Sequence, residues 1–177
     1  HVSGSHEPLN LKQFIYELDV PVIVGGCATY TAALHLMRTG AAGVLVGFGG
    51  GAAHTTRNVL GIQVPMATAV ADVAAARRDY MDESGGRYVH VIADGGMTNS
   101  GDIAKAFACG SDAVMVGSPF ARSTEAPGRG NHWGMATPHG ALPRGTRIKV
   151  GVSGTLEQIL FGPTSRTDGT QNLVGAL

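Results

Sequence analysis

Charge is scarce in this sequence, and so are cysteines, aromatic residues and long apolar runs. Only 15% of the 177 residues are charged, against a usual share of about 25%. Thirteen Lys and Arg balance thirteen Asp and Glu, so no net field draws the chain to nucleic acid or to an anionic membrane. Two cysteines, Cys27 and Cys109, are too few for a disulfide framework and fit a reduced, cytoplasmic compartment. The apolar runs are short and broken by glycine, which argues against a membrane-spanning helix. No basic-then-apolar leader opens the chain. The seven histidines show no HxxxH spacing with a third ligand, so no metal-ligating set is expected.

Glycine and small apolar residues are what the sequence has in quantity. Glycine accounts for 27 residues and hydrophobic residues for 44%, which points to a single globular domain over 1–177 with a large core and excludes disorder. Four short runs are apolar throughout: PVIVGG at 21–26, GVLVGF at 43–48, VHVIA at 89–93 and AVMVG at 113–117. Such runs suit strands buried on both faces, as in parallel sheets. Helical periodicity follows at 31–39, 67–83 and 100–109, and the last run leads into a Gly/Pro-rich tail. The repeating strand–helix order predicts the α/β class with crossover helices. One more helix is expected over 10–19, a short strand over 149–152 and a helical turn over 155–160. From Arg122 to Gly145 glycines and prolines break all periodicity, so this stretch is predicted as a long loop or flap.

The glycines cluster just after the strands, at Gly25-Gly26, Gly47 to Gly51, Gly95-Gly96 and Gly117. In parallel α/β proteins ligands sit at the carboxyl ends of strands. Glycine there lets backbone N–H groups approach an oxyanion, and a following helix N-terminus favours negative charge. The plain alternative is that strand-to-helix turns need glycine for positive φ. Two successive units, Asp94-Gly95-Gly96 and Gly117-Ser118, favour a phosphate site. Asp94 can hold a ribose diol, or it can form the turn. Capping of the next helix is already supplied by Ser100 to Asp102.

These residues carry a family resemblance. VIADGGMTNSGDIAKAFACGSDAVMVGSPFARSTEAPG at 91–128 is similar to the phosphate-site half of the IMP dehydrogenase/GMP reductase family. The likeness continues through VIVGGCAT at 22–29, VGFGGGAAHTTR at 46–57, WGMA at 133–136 and LPRGTRIKVGVSGTLEQIL at 142–160. By NLKQFIYELDVPVIVGG and ALHLMRTGAAGV it most resembles the paralogues without the regulatory CBS insert. The resemblance implies the second half, strands five to eight, of a TIM (βα)8 barrel that works as a homo-oligomer. The chain opens on His1, and the expectation is a piece of a longer protein, completed by its own first half-barrel or by a second copy. It also implies purine (GMP) biosynthesis: IMP, NAD and water give XMP and NADH.

The family roles pass to this sequence residue by residue. Asp94 matches the ribose-binding aspartate, and Gly95 lies beside it. Gly96, Gly117 and Ser118 match phosphate ligands, while Gly134 and Met135 match the backbone that reads the purine base of IMP, XMP or GMP. Gly49, Gly51 and His54 match carbonyl donors of a K+ loop, and Thr56 the threonine near the catalytic water. In the family a cysteine thiolate attacks C2 of IMP and the adduct loses hydride to NAD; His54 stands at that cysteine. Ala52 replaces the loop's phosphate-binding serine, Gly26 an asparagine and His132 a tyrosine, and the flap's Arg-Tyr pair has no counterpart at 129–133.

His54 has three readings: a hydrogen-bond or stacking partner for a purine, a relic at a dead site, or a general base. The rival function is a non-catalytic purine-nucleotide-binding or regulatory paralogue. An unrelated barrel holding FMN is a third option, one that would colour the protein yellow. Cys27 reads as a small apolar residue at a strand end and Cys109 as a helix-end core residue. Arg77-Arg78 with Asp82-Glu83 read as a solvated helix face, and Trp133 as a ligand cover or an apolar anchor.

Overall fold

The computed structural model describes residues 9–134, 141, 146–165, 172–175 and 177. The chain forms two compact units. The first takes in His1–Phe48, Val64–Asp94 and Ala106–Val114, and the second Gly49–Gln63, Gly95–Lys105 and Met115–Leu177.

The first unit is built on parallel strands. β1 (Ile23–Cys27), β2 (Gly43–Val46), β3 (His90–Asp94) and β4 (Ala113–Met115) form one sheet in that order. β1 and β2 pair in parallel with Val24 opposite Val44, and β2 and β3 with Val44 opposite Val91. Strand order equal to chain order means that every connection is a local crossover, the topology that buries both sheet faces under helices. Helix α2 (Tyr30–Arg38) begins where the Thr29 hydroxyl accepts the Ala32 N–H. Helix α4 (Met66–Ser84) turns Ala69, Val70, Val73, Ala74 and Ala76 inward and ends at Gly85 in the left-handed region. With Met37, Val44, Val46, Val89 and Val91 these residues form a buried core. Helix α1 (Leu11–Glu17) is shorter than expected because only Leu11 is buried and Leu18 leaves the helical region.

One residue of the expected solvated face departs from its character, while Arg78, Asp82 and Glu83 are exposed as expected. Arg77 does not lie on a solvated surface: its side chain is 13% exposed and pairs with Asp112 at 2.5 Å. It also donates to the Tyr88 hydroxyl and the Gly110 carbonyl, with the guanidinium over the Tyr88 ring. Glu83 pairs with Arg38 across α4 and α2 at the surface.

The second unit holds α3 (Thr56–Leu60), the start of α5 (Ser100–Ala108), α6 (Ser118–Ala121) and α7 (Leu156–Phe161). It also holds an antiparallel ribbon of β5 (Asn131–Trp133) and β6 (Arg147–Lys149). The ribbon corrects the expected loop from Arg122 to Gly145, and it moves the expected strand at 149–152 toward the N-terminus. The pairing of His132 with Ile148 holds β5 in place, a long-range contact that local composition does not encode. Helices α3 and α6 likewise occupy stretches where no helix was expected. α5 is capped by Asn99, whose Oδ1 accepts the Asp102 N–H, rather than by Ser100. α7 opens with a capping box between Thr155 and Gln158, and Ile159 and Leu173 are buried beneath it.

Candidate functional site

The expected site residues fall mostly in the second unit, where glycine loops meet face to face. The first is the segment 49–56. His54 N–H donates to the Gly51 carbonyl at 3.0 Å, closing a turn that folds the imidazole back over Gly51. A Cβ on Gly51 would lie 2.6 Å from His54 Nδ1, so only glycine lets the ring sit there. Thr56 opens α3 and packs on Gly49, with its Oγ1 2.9 Å from where a Cβ would stand. The carbonyl of Gly51 is thus directed into the turn. The hydrogen bond from the His54 N–H occupies one lone pair of the Gly51 carbonyl, one of the three oxygens expected to face a cation.

Gly95 supplies the next wall. Its φ of +112° is a conformation that side-chain-bearing residues rarely adopt, and a Cβ there would lie 2.7 Å from the Gly50 Cα. Two backbones therefore touch with no side chain between them. Gly96 follows with φ +78° and open space around it, which leaves its backbone accessible to a ligand. Asp94, just before Gly95, ends β3 in the first unit and is half-buried. The carboxyl end of β3 approaches Gly47 there, whose missing Cβ would lie 2.5 Å from the Asp94 carbonyl.

The third wall is the turn into α6, formed by Gly117 and half-exposed Ser118. Here the structure adds a residue that the sequence reading left without a role. The His132 ring lies against Gly117, with Cε1 and Nε2 3.3 and 3.4 Å from the position of a Cβ. No residue among those described hydrogen-bonds the His132 or His54 ring nitrogens. Burial, and then the nearby His54, holds the His132 imidazole below its usual pKa, so it is neutral near neutral pH. After β5 the chain runs past Ala53, where a Cβ on buried Gly134 would meet the Ala53 carbonyl at 3.1 Å. Met135 lies outside the described residues.

Beside this site a cavity of about 460 Å³ is lined by Gly117, Phe120, His132, Trp133 and Leu156 among others. Trp133 lies over Gly128, close to where a Cβ would stand. Glu125 at its edge is held below its ordinary pKa, first by the Leu156 backbone N–H. Asp102 is lowered too: burial alone would raise it, but hydrogen bonds from Thr98 and Lys105 outweigh that. Cys27 is no nucleophile. It is 1% exposed, its thiol is pushed up to about 11 by burial, and its Sγ lies 3.5 Å from the Leu45 carbonyl. Cys109 lies one residue beyond α5, half-exposed rather than in the core.

The family model described as the IMP dehydrogenase / GMP reductase domain matches residues 8–135. The chain belongs to this family. An uncharacterised oxidoreductase of Mycolicibacterium smegmatis is 59% identical over 179 residues, covering 99% of this chain and 48% of the relative. The inosine-5'-monophosphate dehydrogenase of Haemophilus influenzae is 50% identical over 110 residues, covering 62% of this chain and 21% of the relative. The crystal structure of an IMP dehydrogenase/GMP reductase-like protein from Corynebacterium glutamicum superposes with a TM-score of 0.86 at 55% identity. That match covers 99% of this chain and 47% of the other. The chain thus has an α/β fold that corresponds to part of an IMP dehydrogenase-like TIM barrel, and it spans about half the length of the curated relatives it matches. Among the described residues no helix is long and apolar enough to cross a membrane.

Proposed function

We propose that this chain carries the phosphate and base half of a purine-nucleotide site, and that it binds IMP without oxidising it at an ordinary enzymatic rate. The observation that carries this is His54, whose N–H closes a turn on the Gly51 carbonyl and which the family resemblance aligns with the cysteine. The neighbouring loops are lined by glycine backbone, which suits a nucleotide. Asp94 would hold the ribose, Gly96, Gly117 and Ser118 the phosphate, and Gly134 with Met135 the base. Thr56 is fixed against Gly49 and holds the turn's far end.

The chemistry expected of the family needs a thiolate, which adds to C2 of the base and then leaves again. A neutral imidazole is a weaker nucleophile toward that carbon, and its adduct does not collapse the same way. NAD accepts hydride in the family reaction. The residues here do not fit that use, because no thiol stands at position 54 and Cys27 is buried and protonated. Nucleotide binding by the loops requires neither. A role as a binding or regulatory member of the family, in a reduced cytoplasmic compartment, agrees with the same observation. The remaining strands would come from the rest of the protein or from a second copy, since β1 and β4 both lie at sheet edges that a closed barrel would pair.

The test is NADH formation from IMP and NAD by the longest natural form of the protein. The expected result is no turnover above background. Turnover at about 1 s⁻¹ or faster, ordinary for an enzyme, would overturn the reading. His54→Cys separates the causes: a gain in activity means that the rest of the site is competent.

A further inference from the structure

We propose that the site takes up a proton together with its nucleotide: the His132 imidazole, packed on Gly117 at the Gly117–Ser118 turn, is protonated from solvent as a dianionic phosphate monoester enters, and becomes a charged ligand of that phosphate. The inference rests on the nucleotide reading above and adds to it a linked proton and the residue that carries it.

Gly117 has no side chain, and the His132 ring fills that space with Nε2 toward the turn. Neither ring nitrogen has a hydrogen-bond partner among the described residues, so the imidazole can donate to a new acceptor. Ala52 offers no hydroxyl to an anion in the loop that carries His54. A phosphate at the Gly117–Ser118 turn would have backbone N–H groups and the Ser118 hydroxyl beside it, and a protonated histidine would add a full positive charge. Charge-assisted hydrogen bonds to phosphate are about twice as strong as neutral ones.

The groups facing His132 leave it poised for that change. His54 is the titratable neighbour whose charge acts on it, and it disfavours a second proton. Glu125 lines the same cavity, but its carboxylate is turned to the Leu156 N–H. On β6 the residue opposite His132 is Ile148, while Lys149 and Arg147 stand opposite Asn131 and Trp133. No described acidic side chain therefore holds a proton on His132 in the empty site. A doubly negative phosphate at Gly117 reverses the balance, since an opposite charge within about 4–6 Å favours the charged form.

The experiment is calorimetric titration of IMP into the full protein at about pH 7.5, where a phosphate monoester is already dianionic. It is run in two buffers of different ionisation enthalpy. Proton uptake appears as a difference between the two apparent heats, and inosine, which lacks the phosphate, is the control. The expected result is uptake of a fraction of a proton with IMP and none with inosine. IMP affinity should also weaken as the pH rises from about 7 to 8.5, the range above the usual histidine value. His132→Gln keeps a donor without the charge; it should abolish the uptake and weaken IMP by at least about tenfold, leaving inosine unchanged. IMP binding with equal heats in both buffers overturns the proposal and leaves the nucleotide reading standing. So does uptake that survives in His132→Gln, or that is lost only in His54→Gln. No IMP binding by folded protein overturns both.

Discussion

Asp112→Ala tests how the first unit is held together between β3 and β4. In the native structure the Asp112 carboxylate accepts from Arg77 Nη1 at 2.5 Å, from the Val91 backbone N–H at 2.7 Å and from the Tyr88 hydroxyl. Its own N–H donates to the Val91 carbonyl at 2.8 Å, so this residue ties the start of β3 to the turn before β4. The side chains of Arg77 and Asp112 are 13% and 24% exposed, which takes the pair out of the surface class worth at most about 1 kcal/mol. Removing the carboxylate leaves a mostly buried guanidinium with the Gly110 carbonyl and the Tyr88 ring, and a Val91 N–H without an acceptor. Breaking a buried pair costs about 3–5 kcal/mol; residual exposure and the remaining partners reduce that to roughly 3 kcal/mol. Asp112→Asn keeps an acceptor for Val91 and should cost about 1 kcal/mol. Urea unfolding of wild type and both variants, compared at unchanged slope, checks this. A loss below about 1 kcal/mol for Asp112→Ala, or equal losses for both variants, would refute the reasoning.

Three further outcomes follow from the site and its surroundings. Gly95→Ala forces a Cβ to within 2.7 Å of the Gly50 Cα at a φ of +112°, so it should cost about 2–3 kcal/mol in strain and abolish IMP binding; tight binding by this variant would contradict the two-loop contact. Cys27, with its thiol at about 11, should be alkylated in native protein at about neutral pH far more slowly than half-exposed Cys109, as peptide mapping after a timed pulse would show. His132 is held below its ordinary value by burial and by His54, so the unfolded chain binds that proton more readily than the folded one. Its contribution to stability is therefore present above about pH 6.5 and lost as the pH falls through the folded value; His132→Gln should flatten that part of the stability curve.

The strands and the glycine loops were legible in the sequence because each is a local signal. VHVIA followed by Asp94-Gly95-Gly96 announces a buried strand ending at a ligand face, and the structure places β3 there within one residue. Arg77 was misread because a helix-face pattern does not register Asp112, 35 residues away in sequence. The role of His132 was hidden for the same reason. Its position over Gly117 depends on the β5–β6 ribbon, whose pairing partners lie on the far side of a Gly/Pro-rich stretch. The identity of His54 was plain, but its fold over Gly51 follows from a turn hydrogen bond that residue type alone does not specify.

The central claim is that the loops still form a nucleotide site although the nucleophile is gone. The direct measurement is a titration of IMP into the longest natural form of the protein, with Asp94→Ala alongside. The account predicts binding at about micromolar strength that is lost in Asp94→Ala, with no NADH formed when NAD is added. No IMP binding by demonstrably folded wild-type protein would mean that the barrel motif persists only as scaffold, and it would contradict the account.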